Sequence, residues 1–259
     1  MNIIIYFLVG IISTTIGAIS GIGGGVIIKP VLDILGDYNI ATIGVLSSFT
    51  VFAMSVVSLG KTIKDKIKLD GKRTVSLAIG SILGGYIGKN LFSIFLNLLK
   101  NDVLAKQIQA GILFLLMIIV LFLYIKEGQI KGIKVYNVAI CTIVGIVLGI
   151  ISSFLGIGGG PLNVVILIYL LGMDTKSSAI HSIFIIFFSQ GSKLLSILIG
   201  EGFGVYNLEV LPFMVIGGIL GGFLGSFLSK KMNKDKVRSL FIGCMILIIL
   251  SNLYNIVSA

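Results

Sequence analysis

Two short stretches have the composition to do chemistry: Gly21-Ile22-Gly23-Gly24-Gly25 and, 135 residues further on, Gly156-Ile157-Gly158-Gly159-Gly160. Clustered glycines let backbone N–H and C=O groups approach a ligand with no side chain in the way. Pro30 follows the first cluster five residues on, and Pro161 follows the second at once. A soluble phosphate loop needs a strand before it and a polar, magnesium-competent setting after it. Here each cluster instead ends a long apolar run, Ile3 to Ser20 or Val135 to Leu155, and a shorter apolar run follows. In that setting the glycines read as breaks in membrane helices, whose freed backbone groups are tolerated only where protein or a water-filled cavity satisfies them. The N–H ends of broken helices carry the positive end of the helix dipole and, aimed into a low-dielectric cavity, suit an oxyanion.

A fixed cation would add to such a site, and two lysines are placed for it. Lys29 follows the first break and Lys193 lies inside a later span. An ionised lysine at bilayer depth costs about 2.5–3.5 kcal/mol on insertion scales, so it faces the bundle interior or water. The rival for Lys29 is a salt bridge with Asp33, one helical turn on; for Lys193 it is snorkelling to an interface. His181, Gln190 and Ser192 share the span of Lys193. His181 could carry a proton in a coupled transporter, although near the start of its span an interfacial histidine bonded to a neighbour is the commoner outcome. An offset of 137 pairs it with Gly44. The matching span of the first half carries Ser47, Ser48, Thr50, Ser55 and Ser58, hydroxyls that mostly bond their own helix or its neighbour.

Intramembrane catalysis is the competing class. A rhomboid-like protease needs Gly-x-Ser-Gly and a histidine base, whereas Ala18-Ile19-Ser20-Gly21 begins with alanine and nothing places His181 near Ser20. His-Glu-x-x-His is absent, and Asp33 is the only carboxylate well inside an apolar segment. With one histidine, and with Cys141 and Cys244 both in apolar runs, neither a metal site nor a disulfide framework is expected, and nothing calls for a cofactor. A passive anion channel shares every feature of a transporter and differs in flux.

The elements that must position these residues are membrane helices. Apolar residues make up 56% of the 259 and charged ones 12%, with several runs near the ~20 residues that cross a bilayer. The fold expected is all-α and polytopic, in one transmembrane domain of about eight spans. Ile3 to Leu35 is taken as one glycine-broken crossing, followed by Ile40–Leu59, Val75–Leu99 and Leu104–Ile125. After a linker over 126–134 come Val135–Leu171, Ser177–Ile199, Leu208–Leu228 and Val237–Val257. The first run, with no Lys or Arg before it and an internal counterpart, is kept as a span rather than a signal peptide. A net charge of +10 would suggest nucleic acid in a soluble protein, but most Lys and Arg lie between spans, where anionic headgroups are the partner.

A second landmark repeats as well. Gly80 to Gly88 matches Gly217 to Gly225, with glycines four apart in both, which puts a smooth packing strip on one helix face. Two landmarks in the same order indicate homologous four-helix repeats, 1–125 and 135–259, each with a glycine-broken first helix. Four crossings per half would give both halves the same sense. Lys61, Lys64, Lys66, Lys68, Lys72, Arg73, Lys126, Lys131 and Lys134 then fall on one face, against Lys100, Lys106, Lys176, Lys230, Lys231, Lys234, Lys236 and Arg238 on the other. That balance gives the positive-inside rule no vote. The dense cluster from Lys61 to Arg73 tilts the reading toward cytoplasmic termini.

With its paired GxGGG clusters, each followed by proline, its four-helix repeat and its length, the whole chain resembles the sulfite exporter TauE/SafE family, also called the toluene sulfonate uptake permeases. The resemblance implies a multi-pass secondary transporter of the prokaryotic cytoplasmic membrane, moving a small anion such as sulfite or a sulfonate; a proton or sodium could serve as coupling ion, which the sequence does not fix. It also implies that Gly21, Gly23, Gly24, Gly25 and Pro30, and Gly156, Gly158, Gly159, Gly160 and Pro161, lie near the transport path. The halves differ there: the first has Lys29-Pro30 where the second has Val164-Val165, and the second runs Pro161-Leu162-Asn163 directly after its glycines. An asymmetric site follows, with Asn163, His181, Gln190 and the two lysines as further candidates. Nothing in it fixes an oligomeric state.

Overall fold

The computed structural model describes residues 3–64, 71–126, 132, 133, 135 and 137–258. Lys66, Lys68, Lys131, Lys134 and most of the linker over 126–134 lie outside the described residues. The regular elements among the described residues are all helices: α1 (Ile3–Ser20), α2 (Gly25–Leu35), α3 (Ile40–Lys64), α4 (Gly71–Leu99), α5 (Asp102–Ile125), α6 (Val138–Leu155), α7 (Gly160–Leu171), α8 (Thr175–Ile199), α9 (Leu211–Lys231) and α10 (Lys234–Ser258). Eight of these are long and apolar enough to cross a membrane, α2 and α7 being the short ones. Leu115, Ile119, Phe223 and Leu247 on α5, α9 and α10 are exposed, as a lipid-facing surface requires.

Each glycine break turns the chain back on itself. Gly23 N–H donates to the Gly17 carbonyl at 3.3 Å, and a Cβ on Gly24 would lie 2.9 Å from the Ser13 carbonyl oxygen. The chain thus leaves the end of α1, climbs beside its last turns and enters α2 at mid-depth. At the far end of α2, Asp37 accepts a hydrogen bond from Tyr6, close to where α1 began. The stretch Ile3 to Leu35 is therefore a hairpin and not one interrupted crossing. Each half makes five passes, an odd number, so the second half runs in the opposite sense to the first.

That geometry overturns the even distribution of charge. The ends of α3, α5 and α9 share one end of the bundle with the starts of α4, α8 and α10, as shown by Arg238 donating to the Ile125 carbonyl and Thr74 meeting His181. Lys61, Lys64, Lys72, Arg73, Lys126, Lys176, Lys230, Lys231, Lys234, Lys236 and Arg238 therefore crowd this basic end. Lys100, between α4 and α5, and Lys106, early in α5, sit at the other. α1 starts and α10 ends at the less basic end.

The packing pairs elements of one half with elements of the other. α1 lies along α9 and α6 along α4, both parallel, while α3 and α8 cross at the centre as the two most buried spans among the long helices. The glycine strips make the parallel contacts: Gly80, Gly84 and Gly88 face the backbone of Thr142, Ile146 and Ile150, and Gly217, Gly221 and Gly225 face the backbone between Phe7 and Thr15. A Cβ at any of these six glycines would sit under 3.0 Å from backbone atoms, so only glycine allows the approach. α2, α5, α7 and α10 close the remaining side over an apolar cluster in which the rings of Tyr124 and Phe241 stack at 4.0 Å.

Candidate functional site

The two breaks meet in the middle of this bundle. A Cβ on Gly25 would stand 2.5 Å from the Ile157 carbonyl oxygen, and one on Gly160 would collide with the carbonyl of Ile22. Gly23 and Gly158 both rest on Val51 of α3 and Ile186 of α8. The backbone at Gly21, Gly23, Gly24, Gly156, Gly158 and Gly159 has φ between 66° and 84°, a left-handed conformation that glycine adopts without strain. Gly21 packs on Ala179, and Gly156 on Gly44. This pairing equates Gly44 with Ala179, not with His181 as the offset of 137 implied; His181 corresponds to Leu46.

Freed carbonyls find partners from helices elsewhere in the fold, as a low-dielectric interior demands. Ser182 Oγ donates to the Gly21 carbonyl at 2.7 Å, and Gln109 Nε2 donates to that of Phe154 at 2.8 Å. At the start of α2 the loop folds its own donors in: Gly25 N–H bonds Gly23 O at 2.8 Å and Ile27 N–H bonds Gly24 O at 2.9 Å. At the start of α7, Asn163 N–H bonds Gly159 O at 3.0 Å, and Pro161 has no N–H to place.

The side chains around the two breaks differ in kind. Beside the second, Gln190 Nε2 donates to Ser152 Oγ at 2.9 Å, and Ser152 Oγ lies 3.4 Å from Ser189 Oγ. Asn163 Oδ1 and Ser152 Oγ would both be 3.2 Å from a Cβ on Gly159. Asn163 and Gln190 are fully buried, yet both amide atoms of Asn163 and Oε1 of Gln190 lack a hydrogen-bond partner. Leaving such groups unpaired costs about 1–3 kcal/mol each. At the equivalent places by the first break stand Gly17, Ile28, Met54 and Ser55, and the Ser55 hydroxyl is spent on the Phe52 carbonyl.

The lysines part company. Lys29 forms a buried salt bridge with Asp33 at 2.9 Å, the rival outcome weighed for it. Its neighbour Pro30 sits inside α2 and accepts a hydrogen bond from Asn255. Lys193 does not snorkel: it is 3% exposed, donates to the Gly44 carbonyl at 3.2 Å, and would be 3.9 Å from a Cβ on Gly156. His181 is remote from this cluster. Its Nδ1 donates to the Ser177 carbonyl at 2.8 Å, which leaves Nε2 to accept from Thr74 at 3.0 Å, near the basic end. Ser20 donates to Ile16 O and is not in partnership with His181.

A cavity opens at each end of the bundle. One of about 360 Å³ at the basic end is lined by Ala18, Ile19, Lys61, Ala179, Ile183 and Lys230. Another of about 260 Å³ at the opposite end is lined by Val45, Lys89, Lys193, Glu201 and Tyr206. Val51 lies along α3, and Ile186 along α8, between the residues of one cavity and those of the other. Sequence reasoning missed Ser152, Ser189, Ala179 and this Val51–Ile186 pair. The serines were legible only as ordinary span hydroxyls, and Val51 and Ile186 stand out solely through their 135-residue spacing.

Comparison with known proteins decides the family. Residues 6–252 match the family model for the sulfite exporter TauE/SafE. The chain belongs to the TauE/SafE family. A "probable membrane transporter protein" of Bacillus subtilis is 27% identical over 245 residues, 85% of this chain and 87% of the relative. One from Methanocaldococcus jannaschii is 30% identical over 224 residues, covering 80% and 75%. One from Haemophilus influenzae is 26% identical over 187 residues, covering 70% and 66%. No solved structure matches. This TauE/SafE chain is a multi-pass membrane transporter protein, whose substrate the relatives' names leave open.

Proposed function

We propose that the protein is a secondary transporter of a small anion, held at the second glycine break. The observation that carries this is the buried polar cluster there: an amide at Asn163 with no partner, and Lys193 with no carboxylate within 4.0 Å among the described residues. Neutral donors at the start of a helix, with one cation, are the chemistry of an oxyanion site. Gly156, Gly158, Gly159, Gly160 and Pro161 shape its backbone. The first break, with Gly21, Gly23, Gly24, Gly25 and Pro30, is its apolar, internally bonded counterpart. Lys29 supports the fold of α2 through Asp33, and His181 is the candidate for proton movement at the basic end.

Two five-pass repeats of opposite sense, with broken helices meeting between two cavities, form the arrangement that alternating access uses. The crossing of the breaks over Val51 and Ile186 favours that over a continuous channel. By the positive-inside rule the basic end faces the cytoplasm of a prokaryotic cell, which puts both termini outside. Sulfite, as its singly protonated monoanion, or an organic sulfonate is the substrate, as the family's name suggests. The test is a panel of sulfur anions scored by thermal stability of the purified protein. A ligand at a hundred times its dissociation constant adds about 2.7 kcal/mol, and an unshifted melt across the panel would refute the reading.

A further inference from the structure

We propose that the site at the second break is matched to one negative charge, so that it selects monovalent oxyanions and rejects dianions. The inference rests on the preceding reading that a small anion binds there. Asn163, Gln190 and Ser152 are neutral and do not distinguish one anion's charge from another's, so discrimination by charge falls to the ions nearby. Lys89 lines the same cavity as Lys193, and Lys29 lies in α2 just beyond the first break. Lys29 is neutralised by Asp33 at 2.9 Å, and Lys89 by Glu201 at 3.4 Å on the rim of the cavity.

Lys193 is the exception. Among the described residues no carboxylate lies within 4.0 Å of it, and its bond goes to a neutral carbonyl. Of the elements packed on α8, the helices α1, α6 and α7 bring no charged side chain. On α3 and α4, Lys61, Lys64, Lys72 and Arg73 sit at the basic end, beyond Val51 and Ile186. Tyr206, on the same rim, hydrogen-bonds Glu201. With Lys193 in its ammonium form, the groups around the site therefore sum to one positive charge. A monoanion brings the site to neutrality, whereas a dianion carries an uncompensated charge into a low-dielectric interior, which is strongly disfavoured.

The experiment measures affinities of the purified full chain at one pH and constant ionic strength. Its probes are methanesulfonate (one charge), 1,2-ethanedisulfonate and sulfate (two each) and dimethyl sulfone (none). Methanesulfonate should bind at least about tenfold more tightly than either dianion, and Lys193→Gln should erase its advantage over the sulfone. Asp33→Asn, which frees the charge of Lys29, should narrow the gap between disulfonate and methanesulfonate. The wild-type panel decides even if that variant does not fold. A dianion bound as tightly as methanesulfonate would overturn the charge match and leave the anion site standing. Binding of the sulfone alone, or of nothing, would overturn both.

Discussion

Gly25→Ala probes the contact between the two breaks with one methyl group. Gly25 is the first residue of α2 and does not have a positive φ, so alanine there adds no strain in φ. Everything unfavourable comes from the neighbour. The new Cβ would lie 2.5 Å from Ile157 O, 2.7 Å from Ile157 C and 3.0 Å from Ser47 Oγ. Ordinary contact begins near 3.4 Å, so the Ile157 carbonyl must retreat by about 0.9 Å, and with it a loop whose glycines are held by Val51 and Ile186. Overpacking of this kind costs about 1–3 kcal/mol, or a melting temperature lower by roughly 2–12 °C for a chain of this size. Gly111→Ala in α5, where a Cβ meets nothing within 4 Å, is the control and should raise stability slightly. The assay is thermal unfolding of wild type and both variants, followed by transport in proteoliposomes. Gly25→Ala as stable and active as Gly111→Ala would refute the claim that the breaks are locked against each other.

Gly84→Leu should disrupt the parallel contact of α4 and α6, where a Cβ already meets the Ile146 backbone, and lower membrane yield or melting temperature; a neutral result would disprove that packing role. Cysteines introduced at Lys230 and near the amino terminus should react with impermeant thiol reagents from the cytoplasmic and the outer side respectively, with little background from the buried Cys141 and Cys244; labelling from the reverse sides would overturn the orientation. Asp174 caps α8 by accepting from Lys176 N–H, Ser177 N–H and the Ser177 hydroxyl. Burial pushes its pKa up, but those hydrogen bonds outweigh it and hold the carboxyl below its usual value. A depressed folded-state pKa means that the stabilisation is present above the unfolded value and is lost as pH falls through the folded one. Asp174→Asn should therefore flatten the acid limb of a melting-temperature profile, and an unchanged limb would show that the cap does not report on pH.

Composition and run length carried the fold class, because crossing a bilayer imposes about twenty apolar residues in sequence order. Glycine spacing foretold the strips on α4 and α9 for the same local reason. The direction of α2 was not legible. Nothing local tells a glycine break that continues a helix from one that reverses it; the reversal shows only in contacts such as Gly23 to Gly17 and Tyr6 to Asp37. From that one reversal follow the opposite sense of the halves and the crowding of lysines at one end. At the site, the repeated motif located the backbone. The polar asymmetry depends on Ser152 standing where the first half has Gly17, and Asn163 where it has Ile28. Lys193 looked free to snorkel, and the surrounding helices trap it at the Gly44 carbonyl instead.

Counterflow of labelled methanesulfonate in proteoliposomes tests the central claim most directly, using wild type, Asn163→Leu and Ser55→Ala. Asn163 supplies the unpartnered amide at the second break, while Ser55 occupies the place of Gln190 beside the first. Wild type should show saturable counterflow, Ser55→Ala should keep it, and Asn163→Leu should lose at least about tenfold in apparent affinity, the worth of one hydrogen bond to a charged ligand. Undiminished counterflow in Asn163→Leu, with loss in Ser55→Ala, would place the anion at the first break and contradict the account.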